Sequence, residues 1–363
     1  MDNRMILFGL HEMEGIGWKT ILKLWNQTDD LQVIPTLTAK QLTAWDIRPQ
    51  LAERICSGLN PLLLEQKLRN YESRHVRVLT IYDEEYPNLL KETSEPPWVL
   101  YAKGDLSLLK KPLLGMVGTR TPTTYGKKVA DDLSASLSRA GFGIVSGLAR
   151  GIDTCAHHGA LRGKGSTVAV LACPVEQVYP RENLLIYRQI EQMGLIVSEH
   201  PMGTALHPGM FPQRNRIIAG LSLGIVVVEA AQKSGSLITT DCALDASRDV
   251  FAVPGPITSP KSEGVLTLIK QGAKMITCVE DIVEEYAHLI DKANLSELHL
   301  PKAEVELSIG EHQILRILSN GTLTIDELVE QSQLTFGHLH SLLLSLLMKK
   351  LIIQLPGSAY MLH

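Results

Sequence analysis

The sequence predicts an α/β protein: a doubly wound, mostly parallel sheet, with a helical domain before it and a winged-helix-like domain after it. Three observations lead to this prediction. The middle of the chain alternates short apolar runs with helical patterns, and the first part carries apolar side chains at helical spacing. The last part shows three helical patterns followed by a hairpin. With 363 residues, the chain is long enough for two or three domains.

Residues 1–75 form the predicted N-terminal helical domain. Four side chains at helical spacing give it an apolar face: Trp18, Ile21, Leu22 and Trp25. The Gly-Ile-Gly turn at 15–17 opens a helix. Such turns approach a DNA backbone in helix-hairpin-helix modules, but a single match is more often an ordinary turn. Residues 76–111 follow as a connector that contains the proline-punctuated stretch 86–106.

A Rossmann-like core is predicted over residues 112–290. Seven short apolar runs are its strand candidates: 113–118, 143–147, 166–172, 195–199, 223–230, 249–255 and 274–277. Runs rich in β-branched residues and separated by helices indicate a parallel sheet that is covered on both faces. In such a sheet, ligands bind outside the carboxyl ends of the strands.

A polar linker is predicted over residues 291–308, and the winged-helix-like domain over 309–363. The third helical pattern of that domain carries only two lysines, Lys349 and Lys350, both at its far end. A helix that reads duplex DNA usually has Arg, Lys, Asn or Gln at its start. We therefore expect this domain to contact proteins or to regulate, rather than to read DNA.

Composition and charge exclude several classes of protein. No apolar run reaches the ~18 residues of a membrane span, and the N-terminus lacks the features of a signal peptide, so we predict a cytoplasmic protein without membrane contact. The five cysteines are scattered and indicate reduced thiols. The net charge is −4, but residues 115–255 carry 13 Lys and Arg against 11 Asp and Glu. This local excess of basic residues permits an anionic ligand.

The stretch GMVGTRTPTTYG, at 115–126, has the composition of a phosphate-binding loop. Gly118 allows close approach of the backbone, Thr119 offers a hydroxyl group, and Arg120 offers a positive charge. The helix predicted to begin near Tyr125 directs its free N–H groups into this loop.

Four further loops lie at the same predicted edge of the sheet, and each supplies small residues, hydroxyl groups or arginines. Their candidate ligand-binding residues are Ser146, Gly147, Arg150, Arg181, Asn183, Arg214, Asn215, Arg216, Lys233, Ser234, Gly235 and Ser236. A single nucleotide needs one or two such loops. Five indicate a polyanion with successive phosphates, which is a nucleic-acid backbone. Tyr125 and Tyr179 are the best-placed aromatic side chains for base stacking, although tyrosines more often fill a core.

Enzymatic alternatives fit the motifs less well. The Gly-x-Gly-x-x-Gly fingerprint of a dinucleotide site is absent after the first strand, and no acidic residue closes the second. No Walker lysine motif is present. A nucleotide phosphoribohydrolase stays open as the alternative function, but its Pro-Gly-Gly-x-Gly-Thr motif is missing, and the nearest stretch is 230–240. We predict no cofactor.

A few side chains resemble catalytic groups. Cys155 and His158 share a helix face, whereas His157 points elsewhere, and a structural histidine with satisfied hydrogen bonds fits better than a metal ligand or a base. Asp153 is expected to cap the helix that it precedes. Glu229 is expected to pair with a nearby arginine. We therefore predict no catalytic residue and no metal site.

Six ordered motifs between roughly residues 80 and 280 resemble the DNA-processing protein A family (DprA/Smf). They are GTRTPTTYG, SGLARGIDTCAHHGAL, VYPRENL, FPQRNRIIAGLS, SGSLIT and RDVFAVPGPI. The resemblance implies a non-catalytic protein that binds single-stranded DNA, forms a homodimer and loads the RecA recombinase onto incoming strands during natural transformation. It implies Arg120 and Arg181 as the main DNA-contacting cations, with the other candidates lining the same pocket. It also implies an N-terminal domain of SAM or helix-hairpin-helix type.

The chain departs from the family pattern in one loop. The family usually has Gly-x-Gly-x-Asp just before the Tyr-Pro pair, whereas this chain has Ala-Cys-Pro-Val-Glu at 172–176. We expect a stiffer and bulkier loop here, which would alter the path of DNA around Arg181.

Overall fold

The computed structural model describes residues 1–28, 30–289, 307–319, 321–349, 351–355 and 359–362. The chain divides into two compact units, Met1–Leu298 and His299–His363. Among the described residues, no helix is both long enough and apolar enough to cross a bilayer.

The first unit contains a nine-stranded sheet. Its strands are β1 (Arg77–Thr80), β2 (Val99–Gly104), β3 (Leu113–Val117), β4 (Gly143–Ser146), β5 (Thr167–Leu171), β6 (Leu195–Ser198), β7 (Gly224–Val227), β8 (Asp249–Ala252) and β9 (Lys274–Met275). Their spatial order is β1-β2-β6-β5-β4-β3-β7-β8-β9. The seven strands from β6 to β9 in this order are parallel, and β2 is antiparallel to both β1 and β6. The predicted doubly wound, mostly parallel sheet is confirmed, and every predicted strand is present.

Helices precede the sheet and connect its strands. Those before the core are α1 (Asn3–His11), α2 (Trp18–Trp25), α3 (Ala39–Ala44), α4 (Pro49–Gly58), α5 (Pro61–Ser73) and α6 (Asn88–Lys91). Those of the core are α7 (Thr124–Ala140), α8 (Ile152–Ala160), α9 (Leu184–Met193), α10 (Met210–Leu221), α11 (Gly235–Asp245), α12 (Glu263–Lys270) and α13 (Glu280–Val283). Short 3-10 helices cover Leu31–Thr36, Leu106–Lys110, Arg181–Asn183 and Glu284–Leu289.

The region predicted as a connector, 76–111, contributes β1 and β2 to the sheet. Antiparallel pairing with β6 continues the sheet beyond its parallel part, and Tyr101 of β2 is fully buried there. Trp98, just before β2, stacks on Trp18 of α2 with ring centroids 5.8 Å apart. The N-terminal helices and this extension of the sheet therefore share one hydrophobic core.

The topology determines where a ligand site can form. β3 lies between β4 and β7, because the chain builds the sheet outward from β3 to β6 and then crosses back through α10 to β7. At such a switch point, the loops after the two neighbouring strands separate and leave a crevice at their carboxyl ends. The loops that follow β3 and β7 border this crevice.

The second unit has the predicted order of three helices and a hairpin. Its elements are α14 (Ile309–Leu318), β10 (Leu323–Thr324), α15 (Ile325–Ser332), α16 (Phe336–Met348), β11 (Ile352–Leu355) and β12 (Ala359–Leu362). The three strands form an antiparallel sheet in the order β10-β12-β11. Ile314, Leu328 and Leu339 from the three helices are buried together. Most of the predicted linker at 291–308 lies outside the described residues, as does Lys350.

Candidate functional site

The loop after β3 is held between two neighbouring elements. Thr123 caps the N-terminus of α7, since its hydroxyl accepts a hydrogen bond from Gly126 N at 3.1 Å. Glu229, just after β7, accepts hydrogen bonds from Thr123 N at 2.9 Å and from the Thr123 hydroxyl. The expectation that Glu229 pairs with an arginine is therefore wrong. Its buried carboxylate holds the start of α7, a contact between distant loops that the sequence could not show.

Two glycines of this loop permit close packing. A Cβ at Gly126 would lie 2.5 Å from the Glu229 carboxylate, and one at Gly118 would lie 2.6 Å from the Ile152 side chain. Thr119 N donates to the Glu229 carbonyl oxygen at 2.7 Å, which joins the loop to the end of β7. The glycines thus allow the loop after β3 to pack closely against α8 and the end of β7.

The loop after β4 is organised by Asp153. The N-cap of α8 is Gly151, and Asp153 lies inside the first turn, so the expectation that Asp153 caps this helix is wrong. Its carboxylate instead accepts hydrogen bonds from Gly147 N at 3.1 Å and Ala149 N at 3.2 Å. Burial raises the pKa of Asp153, and the positive charge of Arg214 opposes that rise. The carboxylate turns back onto its own loop because the loop offers two N–H donors that need an acceptor.

His157 of the histidine and cysteine cluster has a structural role. His157 is fully buried and lies 2.7 Å from the Thr167 hydroxyl through Nδ1, while its Nε2 accepts from Leu148 N at 3.3 Å. The prediction of a satisfied structural histidine is confirmed. Burial raises the pKa of the Cys155 thiol, which disfavours a thiolate nucleophile. No group of His, Cys, Asp and Glu among the described residues is arranged to hold a metal ion.

Two further candidates are buried and support the backbone. The Ser146 hydroxyl donates to the Met116 carbonyl oxygen at 2.7 Å. Asn183 Nδ2 donates to Leu148 O at 2.8 Å and to the Thr154 hydroxyl at 3.1 Å. Both side chains are enclosed, at 0% and 7% exposure, so the structure does not bring them to a ligand surface. Ser146 connects the end of β4 to β3, and Asn183 connects the segment after β5 to the loop after β4 and to α8.

Arg214 and Arg216 serve different places. Arg214 is buried, donates to the Val170 carbonyl oxygen at 2.7 Å, and covers Gly147 so closely that a Cβ there would overlap its guanidinium group. Its Nε is buried and has no hydrogen-bond partner among the residues that the structure describes. Arg216 binds both carboxylate oxygens of Glu199 at 2.5 Å, in a cleft beside the N-terminal helices. The structure therefore separates Arg216 from the loop that holds Arg120.

The exposed part of the site combines cations with aromatic rings. Arg120 Cζ lies 5.7 Å from the centre of the Phe211 ring, and the Tyr179 ring lies 5.4 Å from Phe211. Arg181 follows the Tyr179-Pro180 pair directly and is exposed, as is Lys233 beyond β7. Over the residues that the structure describes, no carboxylate lies within 4.0 Å of these three cations. A cation beside an aromatic face, as Arg120 lies beside Phe211, is typical of a surface that binds an anionic, base-bearing ligand.

Most of the remaining candidate ligand-binding residues line a crevice of about 640 Å³. Its lining includes Gly118, Arg120, Arg214, Asn215, Ser234, Gly235 and Ser236. The Ser234 side chain caps α11 and shares a hydrogen bond of 2.7 Å with the Ser236 hydroxyl. Gly147 and Arg150 line a narrower pocket of about 40 Å³ beside it, together with Arg120 and Tyr179. Thr119 contributes its backbone to this edge, as described above.

Phe211 is not among the candidate residues that the sequence indicates. It is the first residue of the motif FPQRNRIIAGLS, three positions before Arg214, at the start of α10. An aromatic residue one helical turn before an arginine was the available signal, since positions i and i+3 share a helix face. Of the two tyrosines considered for stacking, Tyr125 donates its hydroxyl to Pro254 O at 2.9 Å, whereas Tyr179 faces Phe211.

The departure at 172–176 lies beside the narrow pocket. Ala172 and Cys173 line it, and Cys173 Sγ donates to the Gln177 carbonyl oxygen at 3.1 Å. Burial raises the pKa of the Cys173 thiol to about 11. The effect of the departure at 172–176 on affinity for DNA stays a prediction.

Comparisons with known proteins identify relatives over most of the chain. The family model of DNA recombination-mediator protein A matches residues 77–287, and that of the DprA winged helix domain matches 299–358. The chain is 41% identical over 270 residues to DNA processing protein DprA of Bacillus subtilis, which covers 73% of this chain and 89% of that protein.

Two solved structures are similar. DNA processing protein A from Streptococcus pneumoniae has a TM-score of 0.70 at 33% identity, over 78% of this chain and 99% of that one. DNA processing protein A from Helicobacter pylori, whose structure addresses its single-stranded DNA binding mode, has a TM-score of 0.55 at 30% identity, over 60% of this chain and 97% of that one. The family match and these relatives lead to one conclusion: the chain belongs to the DprA/Smf family, the DNA recombination-mediator proteins A.

Proposed function

We propose that this protein binds single-stranded DNA, without catalysing a reaction on it, along the carboxyl edge of its large sheet. The observation that carries the proposal is the stacking of Arg120 on Phe211 beside Tyr179. The guanidinium group offers hydrogen bonds to phosphate oxygens, and the rings offer flat apolar faces to bases. Such contacts do not depend on base identity, so sequence preference is expected to be weak.

The distribution of the exposed cations favours a strand over a single nucleotide. Arg120 follows β3, Arg181 follows β5 and Lys233 follows β7. Three separate loops thus each present a cation that has no carboxylate partner in the described part of the chain. The Ser234-Gly235-Ser236 turn adds hydroxyl groups at the start of α11. One phosphate cannot reach three loops, whereas the backbone of a strand presents a phosphate at each nucleotide.

The enclosed state of the acidic and basic groups supports a non-catalytic role. Glu229, the carboxylate that a phosphoribohydrolase would use, is buried and occupied by Thr123. His157 is buried with both ring nitrogens hydrogen-bonded. A general acid or base must reach the substrate, and these two side chains face the protein.

A role in recombination follows from the family. We propose that the protein protects incoming strands and helps to load RecA onto them during natural transformation or recombination, and that it acts as a homodimer. The match to a recombination-mediator family and the single-stranded DNA binding of the Helicobacter pylori relative support this.

The central experiment replaces the exposed cations. Arg120→Ala with Arg181→Ala should weaken binding to oligo-dT and reduce the slope of log affinity against log salt by about 1.4, since each lost phosphate contact removes ~0.7. Fluorescence anisotropy across a salt series measures both quantities. The same variant should no longer increase ATP hydrolysis by RecA on single-stranded DNA.

A matched control removes two cations elsewhere. Arg74, after α5, and Arg139, in the last turn of α7, are exposed and lie outside the loops of the site. Arg74→Ala with Arg139→Ala lowers the net charge equally and should leave the salt slope unchanged. Equal effects of the two double variants, or no effect of either, would contradict the proposed site.

A further inference from the structure

The guanidinium group of Arg150 is occupied by a carboxylate of the same chain. Arg150 Nη2 donates to Glu182 Oε2 at 2.8 Å, and Arg150 Nε donates to Glu182 Oε1, so the ion pair is bidentate. Arg150 also lines the narrow pocket that contains Arg120 and Tyr179. The two paired side chains are 60% and 53% exposed, so a ligand can reach them from solvent.

A phosphodiester would use the same donors. Its two non-bridging oxygens match the guanidinium fork as the two carboxylate oxygens do. The Nε–Nη2 edge of Arg150 therefore cannot hold Glu182 and a phosphate at the same time. Glu182 also follows Arg181 directly in the chain. Its negative charge thus lies next to one proposed DNA-contacting cation and neutralises another.

We propose that Glu182 is a specificity-determining residue. It prevents isolated phosphates from binding Arg150, but the next phosphate of a strand that Arg120 already holds displaces it. The inference rests on the proposed function. A free phosphate must displace a carboxylate that is attached to the protein nearby. The next phosphate of an anchored strand is itself tethered, and its high effective concentration lets it compete. The ion pair thereby favours a run of phosphates over a single one.

The test uses the full chain with Glu182→Gln, which keeps the shape of the side chain and removes its charge. Oligo-dT affinity at low salt should rise about two- to fivefold, the size of effect expected for an exposed ion pair. The salt slope should steepen by ~0.7, because Arg150 then acts as a further uncompensated cation. Inorganic phosphate should raise the melting temperature of this variant more than that of the parent protein, since binding to the folded state stabilises it.

Arg150→Ala identifies the partner of Glu182. It should lower oligo-dT affinity by a larger factor in the Glu182→Gln background than in the parent, because only there is the guanidinium group free before binding. This coupling between the two positions is what a double-mutant cycle measures.

Asp131→Asn is the matched control. Asp131 also binds an arginine through both carboxylate oxygens, with Oδ1–Nη1 and Oδ2–Nη2 distances of 3.0 and 2.7 Å to Arg162. Arg162 lies beyond the opposite end of α8 from Arg150. This variant removes one negative charge and should change neither affinity nor slope. An equal gain in Asp131→Asn would overturn the inference as a general charge effect. An unchanged or lower affinity in Glu182→Gln, while Arg120→Ala still weakens binding, would overturn the inference alone. Absence of strand binding by the parent would overturn the proposed function as well.

Discussion

At the scale of single residues, His157 shows how the site is held in shape. Leu148 N donates to Nε2, so this nitrogen carries no proton, and the proton on Nδ1 is donated to the Thr167 hydroxyl. That hydroxyl in turn donates to Ile144 O at 2.6 Å. The neutral ring thus links the loop after β4 to β5. Burial lowers the pKa of His157 to about 3, because an imidazolium ion in this position would lack solvation.

The histidine makes stability depend on pH. Below about pH 6.5 the unfolded chain binds a proton at this position, and the folded chain does so only near pH 3. The free energy of unfolding should therefore fall with acid by up to about 1.4 kcal/mol per pH unit in that window. His157→Gln should lower it at pH 7 by about 1–3 kcal/mol, since buried partners lose hydrogen bonds, and should make the decline from pH 6.5 to 4 shallower. Urea unfolding at several pH values measures this.

Two other histidines, His200 and His158, bear on the interpretation of this pH dependence. His200 is half-buried, and desolvation lowers its pKa to about 4, so part of the acid sensitivity should persist. His158→Gln alters the exposed neighbour and should leave the pH dependence as it is. An unaltered decline in His157→Gln would show that the imidazole does not have this role.

The sequence predicts the chemistry of the site better than the direction of its side chains. Arg120 and Arg214 are both arginines in loops or helix starts at the predicted edge, and nothing local distinguishes them. Arg120 is exposed and Arg214 is buried because α10 packs the latter over Gly147. Likewise, Asn183 is of a residue type that often binds ligands, but it donates to two acceptors in the loop after β4 and to one in α8. Tertiary packing decides such cases.

At the scale of elements, the loops after β3 and β4 are interlocked. Ile152 N donates to the Thr119 carbonyl oxygen at 3.2 Å, which joins the start of α8 to the loop after β3. Gly151 makes this approach possible. It has φ of +82°, and a Cβ there would overlap Thr119 O and lie 2.7 Å from the Arg120 carbonyl carbon. The position of Arg120 therefore depends on a glycine in another loop.

Gly151→Ala should disturb the site through the backbone. The added methyl group pushes the 119–121 segment away and strains the N-cap of α8, so we expect a loss of about 1–3 kcal/mol in stability and weaker oligo-dT binding. Gly203→Ala is the control, because Gly203 has φ of +83° but open space around its Cα. Gly203→Ala should lower the stability by about 1 kcal/mol and leave the affinity for oligo-dT unchanged. Thermal unfolding and anisotropy give both values, and parallel losses of affinity would refute the interlock.

The strands differ in how clearly the sequence shows them. β3, β5 and β7 are near-continuous apolar runs between helical patterns, as strands buried on both faces must be. β1 and β2 carry the same apolar character in short pieces around proline-rich turns. β1 and β2 form the antiparallel edge of the sheet and pack against the N-terminal helices. No local sequence pattern specifies these contacts. The parallel core was therefore predictable, and its extension was not.

At the scale of the whole molecule, the two units differ in surface chemistry. Lys349, the residue directly after α16, donates to both carboxylate oxygens of buried Glu311, at 2.7 and 2.8 Å. This interaction is the main cause that lowers the pKa of Glu311 to about 2. The lysine thus holds α16 against α14. Phe336, His340 and Leu344, at intervals of one turn along α16, are exposed. A helix face of this kind favours contact with protein over contact with phosphate.

Removal of the second unit tests this division. Arg120, Arg181, Lys233 and Phe211 all lie in Met1–Leu298, which has its own hydrophobic cores. A chain that ends at Leu298 should bind oligo-dT with the same affinity, within about twofold, and with the same salt slope, because no phosphate contact has been removed. The molar mass of both proteins, measured at the concentrations of the binding assay, separates loss of a contact from loss of an oligomer. A slope lower by ~0.7 or more at equal molar mass would place a DNA-contacting cation in the winged-helix unit and contradict its assignment to protein contacts.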